Sequence, residues 1–418
     1  MQSDNSRSIP RAERRKVLVS GAGAAGQTLA YWLARHGFET TVVERAPAPR
    51  IGGFAIDLRG PAVHVAERMG IIDAVRASRV RMKEIVHLDH LGEPVWRTDG
   101  NFGAGAGLTG DVEILRDDLT ALLGRACAEV EGLTHRFDDS VTSVRQSDDH
   151  VDVTFEKSPP GRFDLVLGAD GLHSTVRALA FGDAEAYEKR LGYHVAIFSI
   201  PNILDMEQQM FMSTLPGKLV TVMQYGLGKH TRGMFVFASP PIEFDRRDPE
   251  AQKALIREAF KDDHAYWAVA PLLAELDRAT DLYFDEVTQI TMPAWSSGRV
   301  ALVGDAAFAP TPLSGQGTST AVVGSYVLAG ELKAAGGDPA VAFSRYEAKV
   351  RPYVELNQAV PFQSPELAIP STWEGIERRD ADVRAVMAKR DSGDTAGADM
   401  TAGDVLTRAA NAIELDSY

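Results

Sequence analysis

The sequence predicts an α/β protein in which a parallel, Rossmann-like sheet is interrupted by a mostly antiparallel β-sheet and followed by C-terminal helices. Three observations carry that expectation. A β-branched strand, a glycine-rich turn, a helix and a second strand succeed one another over residues 16–44. Two later apolar strands, at 163–167 and 300–303, run into turns reading GADG and GD. Between them, at about 185–290, short strands with Pro- or Gly-containing turns replace the strand–helix rhythm.

The elements follow in order. Residues 1–15 are polar and basic, with no hydrophobic signal core behind them, and predict a flexible arm. KVLVS at 16–20 reads as a buried strand, 24–36 as a helix stopped by Gly37, and TTVVE at 40–44 as the second strand. Residues 45–60, rich in Pro, Gly and Arg, read as a loop, and 61–69 as a helix ended by Gly70. Some strands of the second sheet are expected at about 80–112, before a helix at 116–128. Thus 16–184 forms the first part of the nucleotide-binding unit and 185–290 the inserted sheet. The insertion has strands at 193–200, 219–225 and 234–238 and a helix at 251–260. Residues 291–355 resume the first unit, with helices at 318–335 and 340–350. The last stretch, 356–418, holds a polar helix near 376–390, a Gly- and Asp-rich linker at 391–401 and a weakly held tail.

Composition narrows the function. The 418 residues include 44 Lys+Arg against 58 Asp+Glu, a formal charge of −14, which disfavours a general nucleic-acid binder. The single cysteine, Cys127, excludes an internal disulfide and any cysteine-rich metal site; its apolar surroundings predict burial. No apolar run approaches the roughly 20 residues that span a bilayer, and a cytoplasmic location is expected. The histidines form no H-E-x-x-H pattern; His87 and His90 would share one face if HLDH were helical, and are expected at the surface. Neither a G-x-S-x-G elbow nor a G-x-x-x-x-G-K-[ST] loop occurs.

Two stretches carry the chemistry. Gly21-Ala22-Gly23-Ala24-Ala25-Gly26 lies between strand and helix, the context a dinucleotide fingerprint requires. Gly21 permits the tight turn, Gly23 lets a pyrophosphate approach the backbone, and Gly26 lets the helix close on the sheet. The start of the helix, including Ala25, offers N–H groups and a positive dipole end to phosphate. Glu44, 18 positions after Gly26, sits where a carboxylate can accept hydrogen bonds from a ribose diol, with Arg45 beside it. The second stretch is Gly304-Asp305-Ala306-Ala307, continued by Pro310 to Gly317 (PTPLSGQG) and a helix. There Asp305 either caps a helix or accepts hydrogen bonds from a ligand's polyol chain.

Taken together, these residues resemble those of class A flavoprotein monooxygenases, the para-hydroxybenzoate hydroxylase superfamily. GAGAAG at 21–26 with Glu44, GADGLHSTVR at 168–177 and GDAAFAPTPLSGQG at 304–317 occur in family order, and the resemblance spans about 15–355. Within the superfamily the spacing is similar to that of tetracycline-inactivating monooxygenases. The resemblance implies FAD, NADPH or NADH as reductant, molecular oxygen, and hydroxylation through a flavin C4a-hydroperoxide. It associates Arg50 with the reductant, Asp57 and Arg116 with FAD, and Asp170 with flavin and reductant. Asp305, at the ribityl chain, and Pro312, Gly315, Gln316 and Gly317 would also bind the cofactor. Phe308 stands where the family often has His, and Thr318-Ser319-Thr320 and Gly324-Ser325 where it often has Asn and an Asp-Ala pair.

Such chemistry asks the protein mainly for dry walls around the ring. Phe198, Met210, Phe211, Met212, Met223, Tyr225, Met234, Phe235 and Phe237 are suited to this, one sheet face being core and the other pocket. Gln224 and Arg232 either orient a polar substrate or hydrogen-bond at a sheet edge. The expected activity is oxygenation of an aromatic or polyketide-like molecule by a monomer or homodimer. An epoxidase, oxidase or reductase, or a FAD-binding module without turnover, are the alternatives.

Overall fold

The computed structural model describes residues 14–48, 55–80, 82–99, 111–226, 230–311, 314–359, 369–391 and 402–418. Its first sheet has six strands in the order Ser296–Ser297, Val300–Leu302, Leu165–Gly168, Lys16–Ser20, Glu39–Glu44, Leu133–Phe137. All neighbours run parallel except the first pair. From the central strand Lys16–Ser20 the chain crosses first to Glu39–Glu44 on one side, and Leu165–Gly168 later fills the other. The carboxyl end of the central strand is therefore a topological switch point, where open α/β sheets form a ligand crevice.

Helices Ala24–Arg35 and Gly317–Ala334 pack over this sheet, tied by the Ser325 hydroxyl, which donates to the Ala25 carbonyl at 2.9 Å. Every residue from Ser319 to Leu332 is buried, which an apolar and small-residue sequence permits. Arg177 is wholly buried and donates to the carbonyls of Leu172 (2.6 Å) and Ala306 (3.0 Å). It thereby clamps the GADGLHSTVR and GDAAF segments together.

The second sheet has seven strands: Tyr283–Ile290, Glu188–Ile200, His230–Ala238, Lys218–Tyr225, Gln209–Leu215, Glu84–Leu88 and Pro94–Asp99. It is antiparallel except where Gln209–Leu215 runs parallel to Glu84–Leu88. Gln209–Leu215, Tyr283–Ile290 and the helix Val269–Arg278 are additional to the expected elements. So is a three-stranded sheet of Val141–Gln146, Val151–Phe155 and Gly161–Phe163.

Three expectations need correction. The stretch 45–60 is not all loop: Ala55–Leu58 pairs antiparallel with Val112–Leu115, four residues being too few for an alternation to stand out. The HLDH stretch is not helical. His87 belongs to a strand and lies buried, stacked on Trp96 at 4.9 Å, its Nε2 within 3.1 Å of the Thr214 hydroxyl. Burial and the neighbouring Arg379 push its pKa down to about 4.

The C-terminal tail is not weakly held. The Tyr418 hydroxyl donates to buried Glu331 at 2.8 Å, and Lys349 bonds Glu331 and Asp416. The Tyr418 ring fills the space over Gly330, where a Cβ would come within 2.1 Å of it. Tyr418→Ala is expected to destabilise the fold by roughly 2 kcal/mol, from lost packing and a lost bond to a buried carboxylate. Urea unfolding measures it; an unchanged midpoint would show the tail to be undocked in solution. The arm before residue 14, and residues 392–401 of the expected linker, lie outside the described residues.

Candidate active site

The glycine turn sits at the switch point. Gly21 adopts φ 102°, and a Cβ there would fall 2.4 Å from the Ala169 carbonyl oxygen. A Cβ on Gly26 would fall 1.9 Å from the Gly21 oxygen. Both positions are closed to side chains by the protein itself. Gly23 differs: nothing among the described residues lies within 4 Å of its would-be Cβ. It is the N-cap of the Ala24–Arg35 helix, where no side chain caps the backbone and no acid occupies the first turn. An uncapped N-terminus facing open space favours an anion. Glu44 holds the rim: its carboxylate accepts from Ala22 N and Ala46 N, both at 2.8 Å. Arg45 beside it is exposed.

The second stretch meets the first. Gly304, at φ 64°, would place a Cβ 3.0 Å from the Cβ of Ala25. Asp305 follows, its pKa raised by burial, with the Arg116 charge acting in the opposite sense. A Cβ on Gly317 would lie 3.7 Å from Asp305 Oδ1, and one on Gly315, at φ 64°, 3.4 Å from Asp57 Oδ2. Asp57 pairs with Arg59 at 2.8 Å. Five expected cofactor residues, Asp57, Arg116, Asp305, Gly315 and Gly317, thus converge. Asp170 is engaged by the protein: its carboxylate accepts from the Ser174 hydroxyl and from Val176 N at 3.1 Å, capping the helix Thr175–Phe181. Arg50 and Pro312 lie outside the described residues.

A family model described as FAD binding domain matches residues 14–357. The chain belongs to this FAD-binding family. It is 44% identical over 364 residues to the uncharacterized protein Rv1260 of Mycobacterium tuberculosis, covering 87% of this chain and 96% of that protein. It is 39% identical to a flavin-dependent monooxygenase from an unknown prokaryotic organism, covering 90% and 96% respectively. Its fold matches the crystal structure of the tetracycline destructase Tet(51) with a TM-score of 0.79 at 33% identity, over 97% of this chain and 99% of that one. It is accordingly a flavoprotein of the monooxygenase family.

The residues present fit FAD. Gln316 is fully buried, yet among the described residues neither Oε1 nor Nε2 of its amide has a hydrogen-bond partner. Buried amides are almost always bonded, so the flavoprotein's own chain leaves a donor and an acceptor for a ligand. The departures from the family pattern are absorbed locally. The Phe308 ring reaches to 3.0 Å from the would-be Cβ of Gly324, so an aromatic ring and a missing side chain match each other. The Ser319 hydroxyl donates to the Asp57 carbonyl and accepts from Arg59 N, both at 3.1 Å, holding the Asp57 strand against the helix Gly317–Ala334.

The seven-stranded sheet presents two faces. Phe198, Phe235 and Phe237 pack with Ile256, Phe260 and Leu272 beneath the helices Pro249–Ala259 and Val269–Arg278. Phe211 packs against the same cluster. These four are core. Met210, Met223, Tyr225 and Met234 point the other way, against Leu115 and Ala55 of the Asp57 strand pair. Met212 shares their face by alternation.

Arg232, paired in register with Met223, lies on that face, bonded to Ser199 and 4.0 Å from Asp281. Gln224 does not. It alternates with Met223 onto the face of Val220 and Val222, and its amide is engaged by Gln208 N and the Gly226 carbonyl. Its side chain thus lies on the face opposite that of Arg232. At the far end the helix Trp373–Asp391 roofs the methionine face, Arg379 donating to Thr214 at 3.1 Å.

Sequence reasoning passed over Gln27 and Glu113. Gln27 braces the glycine turn by donating to the Ala22 carbonyl at 2.8 Å. Glu113, beside the helix-opening Arg116, lies opposite Asp57 in the strand pair. Neither sits in a motif; only its neighbours in space mark it. Cys127 is buried and its thiol is pushed up to about 12, as an inert core residue should be. Among the described residues, no group of three His, Cys, Asp or Glu could hold a metal ion, and no helix is long and apolar enough to cross a membrane.

Proposed function

We propose that this flavoprotein is a single-component monooxygenase that draws electrons from NADPH or NADH and inserts one atom of O2 into an aromatic or polyketide-like molecule. The observation that carries the reading is Gln316, buried with both amide atoms unpartnered among the described residues and next to Gly317, whose would-be Cβ approaches Asp305.

In this reading Gly21, Gly23, Ala25 and Gly26 hold the pyrophosphate, and Glu44 and Arg45 the adenosine end. Asp57, Arg116, Asp305, Pro312, Gly315, Gln316 and Gly317 hold the ribityl chain and ring, while Arg50 meets the reductant. Asp170 acts from behind, by fixing the helix that carries Arg177. Bound FAD supplies hydride acceptance and oxygen activation. The chain's own residues do the rest. The start of the helix Gly317–Ala334 presents its positive end to charge on the reduced ring. Met210, Met223, Tyr225 and Met234 exclude water, and Arg232 orients a polar substrate. The match to Tet(51) makes a tetracycline-like ring system the first substrate class to try.

The test follows NADPH and NADH oxidation by purified protein with phenols, quinones and tetracyclines, under labelled dioxygen. One labelled atom in the product is expected. A protein that stays colourless after incubation with FAD, or a product without label, would overturn the reading.

A further inference from the structure

Glu113 occupies a position that nothing above assigns. It is the cross-strand partner of Asp57, on the strand Val112–Leu115. Directly opposed side chains in an antiparallel pair lie about 5 Å apart on one face, so Glu113 stands one step behind the carboxylate that abuts Gly315. On its other side lie Tyr225 and the methionine wall, since Leu115 of the same strand packs on Met223 and Tyr225. Its backbone is fixed, the Glu113 carbonyl accepting from Val80 N at 2.8 Å. Among the described residues none forms a hydrogen bond or ion pair with its carboxyl.

Among the described residues the charged groups around it are few, and Arg116 opens the helix that follows its strand. Asp57 and Arg59 come from the facing strand and its end, and they pair with each other. Tyr225 comes from the sheet, with Arg232 behind it on the next strand. Arg79 bridges the backbone of Ile114, and Asp111 accepts from Gly60 N. No histidine is among them. Asp57 and Asp305 each face an arginine, and burial pushes the Tyr225 phenol far above neutral. One carboxyl remains at the junction of the flavin loop and the substrate wall.

We propose that Glu113 is the proton acceptor of this site and that the substrate carries an acidic phenolic or enolic hydroxyl for it. The Glu113 carboxylate takes that proton: the substrate O–H bond breaks, the carboxyl O–H bond forms, and the enolate or phenolate left behind is the electron-rich form that accepts oxygen. The proton returns to the product or to solvent on release. No oxidant enters this step. It rests on the monooxygenase reading above.

Burial first, and the Asp57 charge second, raise the Glu113 pKa from an ordinary 4.5 to about 7. The folded chain thus keeps a proton that the unfolded chain releases as pH passes about 4.5. This contribution to stability is intact below about 4.5 and is lost as pH rises through about 7. The test uses the FAD-loaded protein and two variants, Glu113→Gln and Glu113→Asp.

The visible band of bound flavin, followed from about pH 5.5 to 9, is expected to show a one-proton transition near pH 7 in the wild type. It should be absent in Glu113→Gln and displaced in Glu113→Asp. The thermal midpoint of Glu113→Gln should exceed that of the wild type above pH 7 and match it near pH 4.5. With a turned-over phenol or enol, formation of oxygenated product by the Gln variant should be at least tenfold slower at pH 8, with a flat pH profile.

A transition that persists in Glu113→Gln, or none in the wild type, overturns the proposal. Should the Gln variant not retain FAD, an unmoved midpoint in Glu113→Asp overturns it equally. A wild type that binds no flavin would instead overturn the monooxygenase reading.

Discussion

Gly23→Val is expected to give a folded, colourless protein. The would-be Cβ of Gly23 meets nothing within 4 Å among the described residues, so the chain accommodates the side chain in the crevice. The same volume lies over the uncapped helix start where a pyrophosphate must approach the backbone. FAD affinity should fall at least about 100-fold, a loss of roughly 2.7 kcal/mol, with thermal unfolding of the apoprotein nearly unchanged. Flavin absorbance after gel filtration and calorimetry of the apoprotein measure the two halves. Gly26→Ala provides the contrast. Its Cβ would collide with the Gly21 oxygen at 1.9 Å, so the fold itself should suffer. A yellow Gly23→Val protein would show that the phosphates lie elsewhere.

Asp305→Ala should act through the ligand and not through the fold. In the protein alone Asp305 is a carboxylate whose ionised form burial disfavours, opposed only by Arg116. Removing it relieves that unfavourable burial, so the cofactor-free variant should melt no lower than the wild type. What disappears is a charged acceptor for the ribityl hydroxyls, worth about 1.5–3 kcal/mol, or roughly 10- to 150-fold in FAD affinity. Equilibrium dialysis with FAD reads this directly. Full occupancy at micromolar protein with unchanged affinity would remove Asp305 from the cofactor site.

These expectations show which parts of the protein the sequence made readable. The strand–turn–helix at 16–36 was legible because its determinants are local: β-branched residues, glycines and a helical run within one window. The order of the three motifs likewise led to the FAD-binding family. Ala55–Leu58 was not legible, because a four-residue strand is made by its distant partner Val112–Leu115 and not by its own pattern. Nor was the docking of Tyr418, which depends on an absent side chain at Gly330.

The faces of the seven-stranded sheet are an intermediate case. Alternation says that two faces exist, but only the covering helices decide which is interior. For that reason Met223 and Gln224, one residue apart in the chain, belong to different surroundings in space. Arg177 teaches the same lesson: a helix residue by sequence, it is in space the clamp between two distant motifs.

The opposed faces of that sheet also bear on how such a scaffold diversifies. Aromatic rings under two helices secure the sheet from one side, so exchange among Met210, Met212, Met223 and Met234 leaves this support untouched. Flexible thioethers adapt to guests of irregular outline. Randomising these four codons should therefore redirect the choice of guest while most library members remain foldable, whereas randomising Phe198, Phe235 and Phe237 should yield mainly insoluble chains.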